Sequence, residues 1–437
     1  MASSAFNGAN RRKKALIFLV SCVVVALIPY CLDPKYRVLI SLILSVFLGS
    51  YALIIILRYK DTKINEFNIN KISPEDFLSY PSVDVVVSAR DEENVIGQLV
   101  EKLQTIEYPK DKLKTVIVDD GSKDQTPILL KDLAEQYPDL IVINRSRNSG
   151  GGKSGALNHA LKFLNSEWIF ILDADAKFEA SILLEVLPVV LHKGWLAVQL
   201  RKAVINSKKN LLTRCQGMEM AMDAVIQEGR LISGGVVELR GNGQLLKRSA
   251  LDECGGFNEE TVTDDLDLSF RFLLSNTPVG ILWNPPIQEE AVESFNALWN
   301  QRKRWTEGGL QRFFDYWQHL ISNKLTLTKR LDLGTFFLLQ YALPIISLLD
   351  LILSILFRAQ PNFWPLSLTA FSISGLAIFR GCNTRSQGPD IPRPRLFSLI
   401  ISTVYLAHWF VVIPWITFRM SFFPKNLVWL KTSHSGN

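Results

Sequence analysis

Two uncharged apolar stretches, Ala15–Cys31 and Val38–Leu57, stand near the start of the chain, and three more follow towards its end, at Leu333–Phe357, Trp364–Phe379 and Leu396–Phe418. Each approaches the roughly 20 residues that a helix needs to cross a bilayer. In lipid every backbone N–H and C=O must be satisfied within the segment, so these stretches are committed to helix. The long polar segment between the two groups must then fold as a domain tethered at both ends.

Charge orients the tethers. Arg11, Arg12, Lys13 and Lys14 precede the first stretch, and Arg58, Lys60 and Lys63 follow the second. Cytoplasmic flanks concentrate Lys and Arg, so the N-terminus is expected in the cytosol, the loop Leu32–Arg37 outside, and the polar domain in the cytosol. No small-x-small cleavage pattern follows the first stretch, and a second span comes at once, which argues against a signal peptide. Five spans would leave the tail outside with the arginine-bearing loop 380–395 inside. The tail carries Arg419, Lys425 and Lys431 of its own, so the parity stays open.

A net charge of +6 can mark a nucleic-acid partner, but here the basic residues flank apolar segments, and no nucleic acid is expected. At 48% hydrophobic and 21% charged residues the chain is too apolar for a purely soluble protein. The five cysteines form no CxxC pair and have no histidines at metal-ligand spacing. They read as small buried hydrophobes in a reducing compartment.

From about Ser73 to Asn284 short β-branched runs alternate with helical periods. Val83–Ser88, Lys114–Asp119, Leu140–Ile143, Trp168–Leu172 and Leu196–Gln199 read as strands covered on both faces. Val95, Leu99, Leu103 and Ile106 recur at helical spacing, and Thr126 with Pro127 reads as an N-cap and first turn. The pattern predicts an α/β fold with a mostly parallel sheet, whose ligands bind beyond the carboxyl ends of the strands. Further on, Leu310, Phe313, Phe314, Trp317, Leu320 and Ile321 share one helical face, opposite Gln311, Arg312, Asp315 and Gln318. Such a helix suits the membrane interface, or an ordinary core-facing position. The expected division is two transmembrane helices in 1–62, a catalytic domain in 73–305, amphipathic interface helices in 306–330, and a transmembrane region with a tail in 331–437.

Four acidic or basic signatures fall in order on this frame. Asp119 and Asp120 end the second strand and enter a Gly-Ser turn, facing the polar exit Ser88–Asn94 of the first. Such carboxylates can accept from a base and ribose hydroxyls, or simply form a turn. Asp173-Ala-Asp175 ends a buried strand, and carboxylates two apart in an extended segment can point to one side. Hard oxygen ligands of this kind suit Mg²⁺ or Mn²⁺, with water and substrate phosphates completing the shell. Thr263-Asp264-Asp265 precedes a helix and offers a carboxylate to take a hydroxyl proton, or acids that favour a helix N-terminus. Gln301-Arg-Lys-Arg-Trp305 offers guanidinium forks for phosphate and a flat face for a sugar ring, or a cluster for lipid headgroups. The stretch Asn148–Asn158 lacks the phosphate-loop spacing, though its glycines and Lys153 can approach a donor nucleotide or form a plain loop before a helix.

Taken together, Val-Asp-Asp-Gly-Ser, Gly-Lys-x-Gly-Ala-Leu-Asn, Asp-x-Asp, Gly-Gly-Phe-x-Glu followed by Thr-Asp-Asp, and Gln-Arg-x-Arg-Trp resemble family 2 glycosyltransferases with a GT-A fold, over about Pro81 to Phe314. Cellulose, hyaluronan and chitin synthases belong to that family. The resemblance implies a GT-A nucleotide-sugar-binding domain flanked by N- and C-terminal transmembrane helices. It implies that Asp119 and Asp120 hold uridine, and that Asp173 and Asp175 hold the diphosphate through Mg²⁺ or Mn²⁺. It further implies Asp265 as the base, with Gln301, Arg304 and Trp305 at the donor–acceptor junction, and inversion at the anomeric carbon of a UDP-sugar. Thr-Asp-Asp departs from the commoner Thr-Glu-Asp but keeps the last residue. Trp429–His434 resembles a mobile segment of polymer synthases that contacts the nucleotide, which would put the tail in the cytosol.

For the acceptor, the C-terminal apolar stretches carry few polar residues, Asp350 and His408 among them, where a polymer channel would need many. The run Arg304–Trp317 and the Trp-x-Lys-Thr-x-His tail resemble the glycolipid-forming β-monoglucosyldiacylglycerol synthases of cyanobacteria. UDP-glucose and a membrane lipid, 1,2-diacylglycerol, are therefore expected as substrates, with processive polysaccharide synthesis as the alternative. A non-catalytic scaffold would be expected to have lost the acidic pair or the base, and Asp173, Asp175 and Asp265 are all present.

Overall fold

The computed structural model describes residues 9–59 and 80–423. Arg11–Leu27 (α1) and Leu39–Arg58 (α2) form from the first two apolar stretches. Five helical stretches are long and apolar enough to cross a membrane: Arg11–Cys31, Pro34–Arg58, Leu327–Leu356, Trp364–Asn383 and Leu396–Phe422. They coincide with the five expected from hydropathy. Val46 and Phe47 on α2 are 70% and 62% exposed, as lipid-facing side chains would be.

The sheet begins with Val83–Ala89 (β1), whose apolar residues are buried on both faces. Ile96–Gln104 (α3) follows, with Val95, Leu99, Leu103 and Ile106 all buried as their spacing predicts. Next come Leu113–Asp119 (β2), Thr126–Gln136 (α4), Leu140–Asn144 (β3), Gly152–Leu161 (α5), Trp168–Leu172 (β4) and Ile182–Lys193 (α6). Thr126 is not the N-cap that the sequence suggested. Asp124 accepts its N–H at 3.0 Å, and Thr126 sits inside the first turn. The domain is completed by Ala197–Val204 (β5), Leu211–Ile232 (α7), Gln244–Lys247 (β6), Arg248–Glu253 (α8), Asp264–Leu274 (α9) and Val279–Glu289 (β7).

The seven strands lie in the order β3-β2-β1-β4-β6-β5-β7. β6 runs antiparallel to both β4 and β5, while the other pairings are parallel. One apolar layer, containing Val85, Leu99, Phe170 and Leu187, covers one face of the sheet, and another, containing Val86, Val118, Leu157 and Phe272, covers the other. The carboxyl ends of β2, β1 and β4 therefore stand side by side, and the signatures of the site emerge there.

The remaining helices are Phe295–Leu320 (α10), Leu327–Phe337 (α11), Leu343–Leu356 (α12), Trp364–Asn383 (α13), Leu396–Tyr405 (α14) and Trp409–Phe422 (α15), with a π-helical turn at Leu338–Ala342. The segment read as a separate interface helix is the second half of the 26-residue α10, and it is packed on both of its faces. Leu310, Phe313 and Phe314 join a cluster with Ala15 and Cys22 of α1 and Tyr341 of the π-turn. Of the supposed solvent face, Gln311, Arg312 and Asp315 are buried too, and Gln318 is exposed. Arg312 meets Glu238 at 3.1 Å, and Asp315 receives Arg11 at 2.6 Å. Trp317 and Ile321 alone of the named apolar face are exposed. The charged positions looked solvated because their partners lie far away in sequence.

Candidate active site

Asp119 and Asp120 leave β2 opposite Ala89 of β1. Asp119 folds back on its own turn, accepting from the Ser122 hydroxyl at 2.5 Å and the Ser122 N–H at 3.1 Å. Asp120 lies between Arg145 at 2.5 Å, from the exit of β3, and Arg90 at 3.3 Å, from the exit of β1. Burial raises its carboxyl above the usual value, in spite of both arginines. The pair thus forms the wall between two strand exits.

β4 ends two strand spacings from β2, about 10 Å away. There Asp173 receives the Lys153 ammonium at 2.5 Å, and its own N–H donates to Asn242 at 3.1 Å. Lys153 arrives on the first turn of α5, whose entry is built by glycines. Gly151 has φ +71°, a conformation that strains any other L-residue, and a β-carbon there would meet the Glu259 carboxylate. The Arg145 guanidinium also donates to the Gly150 carbonyl, so the residue that braces Asp120 braces the glycine loop as well.

The Thr-Asp-Asp turn opens α9 against the same centre. Burial first, and the Asp264 carboxylate second, push the Asp265 carboxyl up to about 6, against the pull of Lys153 and Lys202. Burial also works upward on Asp173, but Lys153, Lys202 and Arg304 together hold it below its ordinary value. Lys153, Asp173, Lys202, Asp264, Asp265 and Arg304 are therefore one electrostatic cluster. Asp265 faces the loop between α7 and β6, with Gly241 leaving it room.

α10 closes the centre. Gly308 lies directly on the Thr263 side chain, so the helix that carries Gln301, Arg304 and Trp305 presses on the turn that carries Asp265. The buried Gln301 side-chain oxygen and the Thr263 hydroxyl have no hydrogen-bond partner among the described residues. Arg302 has a different task. Its guanidinium donates to Glu219 at 2.5 Å and stacks over Trp305 at 4.2 Å and Trp409 at 5.1 Å. It fastens the motif to α7 and α15.

Asp173 and Asp175 suit a divalent cation. Among the described residues no three His, Cys, Asp or Glu side chains gather as a metal site. Mg²⁺ and Mn²⁺ accept such a sparse carboxylate set, because water and phosphate oxygens complete their shells. The ammonium already drawn onto Asp173 shows the pull of the site on positive charge.

Sequence reasoning named Arg90 only within the polar exit Ser88–Asn94, and it missed Arg145, Lys202 and Asn242. Arg145 stands at a strand exit, a position that could have drawn notice, whereas a single lysine in an apolar strand carries no signal. Trp429–His434 lies outside the described residues.

Residues 81–308 match the family model described as glycosyltransferase like family 2. The chain is 44% identical over 364 residues to the β-monoglucosyldiacylglycerol synthase of Synechocystis sp., covering 82% of this chain and 76% of that protein. It is 42% identical over 363 residues to the synthase of the same name from Trichormus variabilis, covering 82% and 78%. Among solved structures, a mannosyltransferase from Pyrobaculum calidifontis in complex with GDP-Man and Mn²⁺ superposes with a TM-score of 0.55 at 19% identity, over 84% of this chain and 98% of the other. At that identity the likeness is one of fold, and the fold is GT-A.

Proposed function

The chain belongs to the glycosyltransferase like family 2, and from that premise we propose that it moves glucose from UDP-glucose to 1,2-diacylglycerol, with inversion, at the cytoplasmic face of a membrane. The observation that carries this reading is the meeting of the Asp173 end of β4, Lys153 and the Thr263–Asp265 turn in one charged cluster beneath α10. The names of the relatives supply the sugar and the lipid.

Asp119 and Asp120 hold the uridine side of the donor, and Lys153, Arg304 and Gln301 hold the diphosphate side. A Mg²⁺ or Mn²⁺ ion held by Asp173 and Asp175 supplies charge neutralisation at the diphosphate. Asp265 accepts the proton of the diacylglycerol hydroxyl as that oxygen bonds to the anomeric carbon. The bond from that carbon to the phosphate oxygen breaks on the opposite side, and UDP leaves. A base with a value near 6 is ionised at neutral pH yet still basic enough to take the proton. Trp305 offers its ring to the sugar, and α10 holds the whole arrangement against the membrane helices.

Hydrogen bonds between the apolar helices and their connections support the membrane placement. Tyr30 donates to Asp350 at 2.8 Å and Ser41 to the Asn362 carbonyl at 2.6 Å, so the connections after α1 and α12 share one side. Arg380 donates to the Ile56 and Tyr59 carbonyls, on the side of the catalytic domain. The loop before α14 docks there too, with Gln387 donating to Asn284 and Glu185. The far end of α15 returns to the same side, where Arg12 donates to the Ser421 and Phe422 carbonyls. On this reading α14 and α15, joined through a short 3₁₀ turn at Leu406–His408, dip into the bilayer without crossing it. Four crossings then keep Arg11 and Phe423 on the side of the catalytic domain, in the cytosol.

The test incubates membranes containing the protein with labelled UDP-glucose, Mg²⁺ and diacylglycerol, then partitions the product. Label in the organic phase as one glycolipid, lost on chelation of the metal, is expected. Label in a large polymer would replace the lipid reading with polysaccharide synthesis.

A further inference from the structure

β5 and β7 run in register as far as Leu200 opposite Leu282, and then the pairing jumps to Lys202 opposite Ile287. Four residues of β7, Trp283 to Pro286, are thus looped out across from the single residue Arg201. A bulge of this kind re-aims the side chains beyond it. The loop is braced on its far side: Arg201 donates to the Trp283 carbonyl at 3.0 Å, and Gly388, from the loop between α13 and α14, leaves no space beside Pro286.

Past the bulge, Gln288 pairs with Lys177 through two backbone hydrogen bonds of 2.8 and 2.9 Å, two residues after Asp175. The end of β7 is therefore wedged between β5 and the segment that leaves the Asp-Ala-Asp strand. Glu289 comes to lie 3.0 Å from the Lys202 ammonium, and both side chains are mostly buried, at 16% and 14% exposure. Lys202 stands at the carboxyl end of its strand, where ligands of such sheets bind. Its charge acts on Asp173 and on Asp265, raising its own value against the burial that would lower it. The ammonium held by Glu289 therefore lies within electrostatic reach of both carboxylates.

On the proposed reading of the donor site, the space beside those carboxylates holds the diphosphate. We infer that Lys202 is a second ammonium of the donor site, tethered by Glu289, which binds the β-phosphate of the nucleotide sugar and of the departing UDP. Lys153 then approaches the diphosphate from α5 and Lys202 from β5. Three ammonium N–H donors allow Lys202 to keep Glu289 and still reach phosphate oxygens.

The test compares UDP with UMP, which lacks the β-phosphate. Full-length protein in lipid nanodiscs with Mg²⁺ is titrated calorimetrically with each nucleotide, as wild type, Lys202→Gln and Lys202→Arg. Lys202→Gln keeps a donor for Glu289 and so preserves the local fold. It is expected to weaken UDP about tenfold or more while changing UMP by less than about twofold, the worth of one charge-assisted hydrogen bond. Lys202→Arg is expected to recover most of the UDP affinity. Equal losses for UDP and UMP, or no loss for UDP, would overturn the assignment while leaving the donor reading intact. Failure of the wild type to bind UDP at all would sink both.

Discussion

Gly309 of α10 lies against the hydroxyl of Tyr341, within the π-helical turn in the first C-terminal membrane helix, with no room for a β-carbon between them. Its neighbour Gly308 is pressed just as closely on Thr263. Two adjacent glycines thus let one helix touch both the membrane region and the turn that carries Asp265. Gly309→Ala is expected to destabilise the protein by about 1–3 kcal/mol, as overpacking does, and Tyr341→Phe in the same chain to recover part of the loss. Thermal melting in detergent reads both. Gly308→Ala should lower kcat more than it changes KM, because it displaces the base rather than the donor wall.

Asp265→Asn should reduce turnover by about 10²–10⁴-fold, the usual contribution of a positioned base. In the wild type kcat/KM should fall on the acid side with an apparent value near 6. An acid limb unchanged in shape by the substitution would remove Asp265 from the role.

Stability moves the other way. Burial raises the Asp265 value in the folded state, so its stabilising contribution is complete below the ordinary carboxylate range and is lost as pH rises through about 6. Without metal or donor, Asp265→Asn should therefore melt higher than wild type at about pH 8, and the difference should vanish towards about pH 4. Melting curves in chelator across that range decide it.

The two arginines of the Gln-Arg-Lys-Arg-Trp motif should separate cleanly. Arg302 and Glu219 are both buried, and Glu219 also accepts from Tyr405 at 3.1 Å and Trp409 at 3.2 Å. Arg302→Met leaves that carboxylate without its charge partner and should cost about 3–5 kcal/mol. Arg304→Met should leave the melting temperature near wild type and raise the KM for the donor. Equal destabilisation by both substitutions would refute the division of labour.

Phe423→Cys probes the membrane path of α14 and α15. Phe423 is 55% exposed at the end beside Arg12. In the fold described, a membrane-impermeant thiol reagent reaches it from the side of the catalytic domain. Labelling from the opposite face would show that the last helix crosses.

The sheet core, the five apolar helices and the order of the signatures were legible because each is written in local periodicity. β4 is a continuous apolar run, and β1 is a valine-rich one broken only by Asp84 and Ser88. β6 escaped notice because it is four residues long and follows Gly241 and Gly243, while β7 hides behind Pro285 and Pro286. The burial of Arg312 and Asp315 could not be read either. Helical spacing shows which residues share a face, but not that Glu238 and Arg11 wait opposite. Lys202 is the extreme case, since its significance arises wholly from a register jump in another strand.

Arg11 reaching Asp315 joins the first helix to α10, and Arg12 reaching the carbonyls of Ser421 and Phe422 joins it to α15, the last of the described helices. A nascent chain that has finished its catalytic domain still lacks the partner of Arg12, and Glu219 still waits for Tyr405 and Trp409. Until α15 is in place, Arg302 lacks the Trp409 ring and Arg12 lacks its carbonyl partners, so translation completes the bracing of Arg302 and of the first helix at the same step.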